Sequence, residues 1–155
     1  MPLELLDAGV YAWLHPSGRR GRPNAGAVIE ADGITLVDAL MTPEQYEPFA
    51  AELDGLGLPI RRVVLTSSGV EQAGGTGRFK MAAVYGSRQA SVHLDQPPNL
   101  ESWRNLYPGG DFDEVVTRPV SHVVASDVQL TDAVAVLTVS GQMAENLVAV
   151  LPGAH

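Results

Sequence analysis

The sequence predicts an α/β (α+β) domain over residues 1–155, and three observations carry that expectation. A strand–turn–strand pattern is followed by an amphipathic helix and a further apolar run; the chain then turns to short β-type runs beyond residue 119. Its 155 residues are 45% hydrophobic, enough for one core but not two.

The elements follow in order. In "AGAVIEADGITLVDAL" two apolar runs, Ala25–Glu30 and Ile34–Leu40, flank Ala31-Asp32-Gly33, which reads as an antiparallel hairpin. In "MTPEQYEPFAAELDGLGLP", Thr42 precedes Pro43, with Gln45 three residues on. That is capping-box spacing with proline at the first helical position. Tyr46, Phe49, Ala50 and Leu53 then share one apolar face. Pro48 falls inside this helix, where its missing N–H is expected to kink or weaken it, and Gly55 and Gly57 end it.

"PIRRVVLT" is the next strand, and strand, helix, strand at this length implies a right-handed crossover onto the same sheet. The loop "SSGVEQAGG" therefore sits at a strand's C-terminal end, where open α/β sheets bind ligands. "MAAVYG" reads as a short buried strand, "SRQASVHLD" as a helix capped by Ser87, and "LESWRNLY" as a helix placing Trp103 and Tyr107 on one side. Past the break "YPGGDFDEVVTRP", the runs "PVSHVVA", "VQL", "AVAVLTVS" and "LVAVLP" are strand-like.

Composition removes several function classes. With no cysteine there is no disulfide framework, thiolate metal site or cysteine nucleophile. The formal charge of −8 disfavours nucleic acid as a partner, because that affinity rests on Lys and Arg neutralising phosphates. The one basic cluster, Arg19, Arg20 and Arg22 in "GRRGRP", reads as a solvated loop, with an anion or partner contact as the alternative. The N-terminus "MPLELLDAGV" lacks the pattern of a signal peptide, and no run reaches membrane-spanning length. The expectation is a cytoplasmic protein with no membrane partner.

The block "GAVIEADGITLVDALMTPEQYEPFAAEL…PIRRVVLTSSGVEQAGGTGRF" resembles the metallo-β-lactamase-fold hydrolase superfamily, in the order hairpin, "LVDAL", helix, strand ending in Leu-Thr, metal loop, Gly-Gly and an aromatic. "SGQMAENLVAVLP" is similar to the segment carrying that superfamily's next metal histidine. The resemblance covers about residues 8–152. It implies a mixed β-sheet flanked by helices, half of an αββα sandwich, in a chain without the C-terminal part of the usual domain. An apolar sheet face and strand edges would then be open, which implies a homo-oligomer or a partner chain that covers them.

An intact member would carry zinc, held by a loop reading Thr-His-x-His-x-Asp-His. Placed on this chain, Thr66 matches, but the ligand positions fall on Ser67, Gly69, Glu71 and Gln72, and the later histidine on Gln142. Zinc needs several converging carboxylate, imidazole or thiolate donors, and of these positions Glu71 alone supplies one. No metal or other cofactor is therefore expected. Asp38 stands where the superfamily has a structural Asp supporting the metal loop, and reads as a buried, hydrogen-bonded carboxylate.

The histidines offer no substitute site. His15, His93, His122 and His155 are not paired with one another at ligand spacing, and His93 and His122 read as ordinary surface or hydrogen-bonded residues. Ser67 and Ser68 lack a Gly-x-Ser-x-Gly elbow and an assignable His or Asp partner, so they read as turn formers. Gly74-Gly75-Thr76-Gly77 fits no nucleotide fingerprint and reads as a backbone turn. Trp103 and Tyr107 read as helix-to-core packing, with lining of a pocket mouth as the alternative.

Two functions remain, beside a third expectation of an incomplete product with no independent function. One is a non-catalytic binding or assembly module, able to take a small-molecule ligand. The other is a divergent hydrolase of an ester, thioester or lactone, working through Ser67, Ser68, Glu71, Gln72 and Gln142. Convergence of these five on one open pocket favours the hydrolase; dispersal or burial favours the module.

Overall fold

The computed structural model describes residues 3–141 and 144–154. Two apolar runs around a tight turn build the hairpin of Ala25–Glu30 (β3) and Gly33–Val37 (β4), paired antiparallel from Gly26↔Val37 to Glu30↔Gly33. Glu4–Asp7 (β1) and Val10–Trp13 (β2) extend it antiparallel on one side. Ile60–Val64 (β5), Ala83–Gly86 (β6) and the two-residue His122–Val123 (β7) extend it in parallel on the other, giving a seven-stranded mixed sheet in chain order. Val128–Gln129 (β8), Ala135–Val139 (β9) and Asn146–Val150 (β10) form a separate three-stranded antiparallel sheet.

The period-2 alternation of strands decides how the layers stack. Ala27 and Val63 face a core that includes Trp13, Leu36, Phe49, Ala50, Leu53 and Phe79; their neighbours Val28 and Val64 face the small sheet through Val134, Val136 and Leu147. Pro43–Asp54 (α1) thus covers one face of the large sheet, and the small sheet covers the other. Glu30 ties the two sheets together, accepting from Thr131 Oγ1 at 2.6 Å and the Ala133 amide at 3.3 Å.

α1 buries Tyr46, Phe49, Ala50 and Leu53, the face its spacing predicts. Pro48 lies inside the helix, which ends at Gly55 as expected, its apolar face being held by the core. Two local expectations are corrected. The Thr42 hydroxyl makes no cap bond; Gln45 Oε1 instead accepts the Met41 amide at 3.2 Å. β4 also ends at Val37 rather than Leu40, because Asp38 and Leu40 take left-handed backbone angles, φ 63° and 65°.

Three short helices complete the rim at the C-terminal ends of the parallel strands. Val70–Ala73 (α2) runs into a 3-10 turn, Gly74–Arg78, a helical stretch where the sequence reads as a loop. Arg88–Leu94 (α3) is capped by Ser87, whose Oγ accepts from the Ala90 amide at 3.0 Å. Leu100–Leu106 (α4) is capped by Asn99 and joins Met41, Val70, Phe112 and Val115 in a small apolar cluster.

Candidate functional site

β5 and β6 are adjacent and parallel, so the segments leaving their C-terminal ends open on the same edge. From β5 come Thr66, Ser67, Ser68, Gly69, Glu71 and Gln72; from α3, after β6, comes His93. With Trp103, Tyr107 and Asn146 these residues line one open cleft of 630 Å³. Four of the five residues proposed from the sequence, Ser67, Ser68, Glu71 and Gln72, therefore converge. The fifth, Gln142, lies outside the described residues.

Asp38 supports the floor of the cleft. Its Oδ1 accepts the Thr66 amide at 2.8 Å and its Oδ2 accepts Thr66 Oγ1 at 2.7 Å. The residue as a whole keeps partial exposure, but burial of its carboxyl pushes the pKa up to about 6, against the lowering effect of both Thr66 bonds. The Thr66 carbonyl in turn accepts the Leu147 amide at 3.0 Å, locking β10 onto the loop.

The retained polar side chains are engaged within the protein. Glu71 Oε1 accepts the Gly21 amide at 2.7 Å, and Gln72 Oε1 accepts Ser67 Oγ at 3.0 Å. Gly69 contributes no donor atom. Among the described residues no three His, Cys, Asp or Glu side chains gather where they could hold a metal ion. The donor set does not fit zinc, since a single carboxylate committed to a backbone amide leaves the ion without the three or four ligands it needs.

Ser68 has a partner that spacing did not suggest. Its Oγ lies 2.8 Å from Nδ1 of His93, 25 residues away, so His93 is part of the cleft. The detectable signal was topological: consecutive parallel strands bring the loops after them to one edge. The other described histidines stand elsewhere. His15 Nδ1 accepts the Ser17 amide at 3.2 Å, and the exposed His122 stacks on Tyr85 with centroids 4.8 Å apart.

Trp103 and Tyr107 satisfy both readings offered for them, packing on Phe112 with centroids 5.7 and 6.4 Å apart while also lining the cleft. Burial pushes the Tyr107 phenol above its usual range, with the Glu71 charge adding to the shift and Arg20 opposing it. The Arg20 guanidinium carbon sits 5.5 Å from the Tyr107 ring centroid.

Solved structures share this fold. The chain aligns over 98% of its length with a metallo-β-lactamase from Hirschia baltica, at a TM-score of 0.65 and 20% identity. The fold is that of the metallo-β-lactamases. The FIM-1 metallo-β-lactamase from Pseudomonas aeruginosa, solved in a mono-zinc form, matches 98% of the chain at a TM-score of 0.66 and 17% identity. A metallo-β-lactamase from Pontibacter korlensis matches 97% at 0.69 and 16%. This chain spans 68%, 66% and 66% of those three proteins, about two thirds of a metallo-β-lactamase. No protein-family model and no curated protein matches the sequence.

Proposed function

We propose that this metallo-β-lactamase-like protein is a metal-free, non-catalytic binding module that takes a small molecule in the cleft over Ser67, Ser68 and Trp103. The observation that carries this reading is the rewiring of the metal loop. Glu71 and Gln72 stand at mapped ligand positions but are spent on Gly21 and Ser67, while the cleft above them remains open. Native mass spectrometry with added zinc is expected to find the protein zinc-free, with an unchanged thermal midpoint. A stoichiometric one- or two-zinc species would return it to the zinc hydrolases.

The proposal includes assembly and a cytoplasmic location. By strand alternation, Leu137, Val148 and Val150 lie on the outer face of the small sheet, where Val148 is 41% exposed; edge strand β1 presents exposed Leu5 and Leu6. Covering this surface is the role proposed for a second copy or partner chain. The same spectrum tests it, since a monomer at all concentrations removes self-association.

The divergent-hydrolase reading is favoured by convergence of Ser67, Ser68, Glu71 and Gln72 on one cleft and by the 2.8 Å Ser68–His93 contact. With His93 protonated on Nε2, its Nδ1 accepts the Ser68 proton as Oγ adds to an ester carbonyl. The proton then passes to the leaving alcohol, and water releases the acyl group from Ser68. On p-nitrophenyl acetate, Ser68→Ala and His93→Ala are each expected to lower the rate about 100-fold or more under this reading. Equal rates in both variants and the parent protein leave the binding module.

A further inference from the structure

We propose that a second cleft, between the 19–22 turn and the 107–110 turn, binds the phosphate group of a small anionic molecule. This cleft of 470 Å³ is lined by Arg19, Arg20 and Arg22, with Gln45, Tyr107 and Gly110 among the opposing residues. It meets the Ser68 cleft at Leu106 and Tyr107 but is formed by different loops. The assignment stands whether or not the Ser68 cleft performs chemistry.

The charges argue first. In a chain of net charge −8, three arginines crowd into four positions, and among the described residues none of them forms an ion pair with a carboxylate. Other arginines are engaged: Arg62 with Asp32, Arg78 with Glu47 and Asp54, Arg104 with Asp113, and Arg118 with the carbonyls of Phe79 and Ala82. Holding three like charges together costs repulsion that an oxyanion relieves. Guanidinium forks match phosphate oxygens in pairs. Two carboxylates stand against the three arginines, Glu44 in the lining and Glu71 behind the turn on the Gly21 amide, so the positive charge is still in excess for an anion.

The backbone argues second, because the turn that carries the arginines is pinned. Gly21, buried between exposed arginines, donates its amide to Glu71 Oε1 at 2.7 Å and accepts Gln45 Nε2 on its carbonyl at 2.8 Å. The Arg22 amide closes the turn on the Arg19 carbonyl at 3.0 Å. Gly21 has φ +77°, and a Cβ there would meet Tyr107 Cδ1 at 3.0 Å, so the turn lies flush against the opposing wall. Arg20 is stacked on that same ring. The guanidinium is thus partly ordered before a ligand arrives, which reduces the entropy lost on binding. Net charge −8 favours a small molecule over a nucleic-acid backbone.

The test is titration of the ¹⁵N-labelled full chain with inorganic phosphate, with sodium chloride at matched ionic strength as the control. Saturable shifts centred on the amides of Gly21, Arg22, Gly109 and Gly110 are expected with phosphate and not with chloride. Arg20→Gln is expected to weaken binding about tenfold or more, and Arg19→Gln/Arg20→Gln/Arg22→Gln to abolish it with the thermal midpoint kept. Shifts spread over Lys80 and Arg88, an equal response to chloride, or unchanged affinity in the triple variant would overturn the site. Occupation of the Ser68 cleft is read separately from the Ser68 and Trp103 amides, so failure here leaves the binding-module reading to its own test.

Discussion

Gly75→Ala is expected to destabilise the protein by about 3 kcal/mol or more, the upper end of the cost of overpacking a rigid interior. A Cβ at Gly75 would stand 2.0 Å from the Ala39 carbonyl oxygen, and at Gly74 2.1 Å from that of Met41. Both obstacles are backbone, so no rotamer change relieves them. Gly75 also donates its amide to the Leu40 carbonyl at 3.0 Å, and Leu40 is fully buried with φ 65°. The glycines therefore serve close approach in a helical conformation, not a loop turn. For a chain of this size the loss corresponds to a fall of roughly 6–12 °C in thermal midpoint. Gly153→Ala, with nothing within 4 Å of the added Cβ, is the matched control and is expected to be neutral. A Gly75→Ala midpoint within experimental error of the parent would show that the 39–41 segment can move aside.

The second large effect is the pH dependence set by Asp38. Its carboxyl titrates at about 6 in the folded chain against an ordinary value of 3.8, so between these values the folded state holds a proton that the unfolded state has released. Stability from this group is fully present below pH 3.8, falls as pH rises to about 6, and is level above that. Two pKa units correspond to a loss on the order of 3 kcal/mol across the window. Asp38→Asn removes the titration, tolerates φ 63° and keeps an acceptor for the Thr66 amide. Urea denaturation of both proteins from pH 4 to pH 7 is the measurement, and their difference isolates Asp38 from the remaining carboxylates. Parallel stability curves would mean that its carboxyl is solvated.

Both effects arise at the junction of β4 with the loop after β5, and that junction shows where sequence reading reached its limit. The apolar runs either side of Ala31-Asp32-Gly33 and the helical spacing of Tyr46, Phe49, Ala50 and Leu53 are local patterns, so they were legible and specified the hairpin, the helix face and the parallel crossover. The place of the Ser67–Ser68 loop at the sheet edge follows from the same order of elements. Its wiring does not. Ser68 and His93 are 25 residues apart, Gly21 and Glu71 are 50 apart, and Gln45 and Gly21 are 24 apart. Such bonds depend on which loops the sheet brings together, and no residue spacing encodes them.

Pro48 teaches the same lesson in the opposite direction. Its local propensity opposes a helix, yet α1 persists because burying Phe49, Ala50 and Leu53 outweighs one missing backbone bond.

Residue chemistry alone determined that this sequence has no thiol, that it is acidic overall and that its 66–72 loop holds no histidine, because these depend only on which side chains are present. Tertiary structure decided the rest: the commitment of Glu71 to Gly21, the pairing of Ser68 with His93, and the gathering of three arginines on a pinned turn opposite Tyr107. The physical reason is range. Composition and periodicity act within a few residues, whereas a hydrogen bond or a charge cluster forms wherever folding places its partners within a few ångströms.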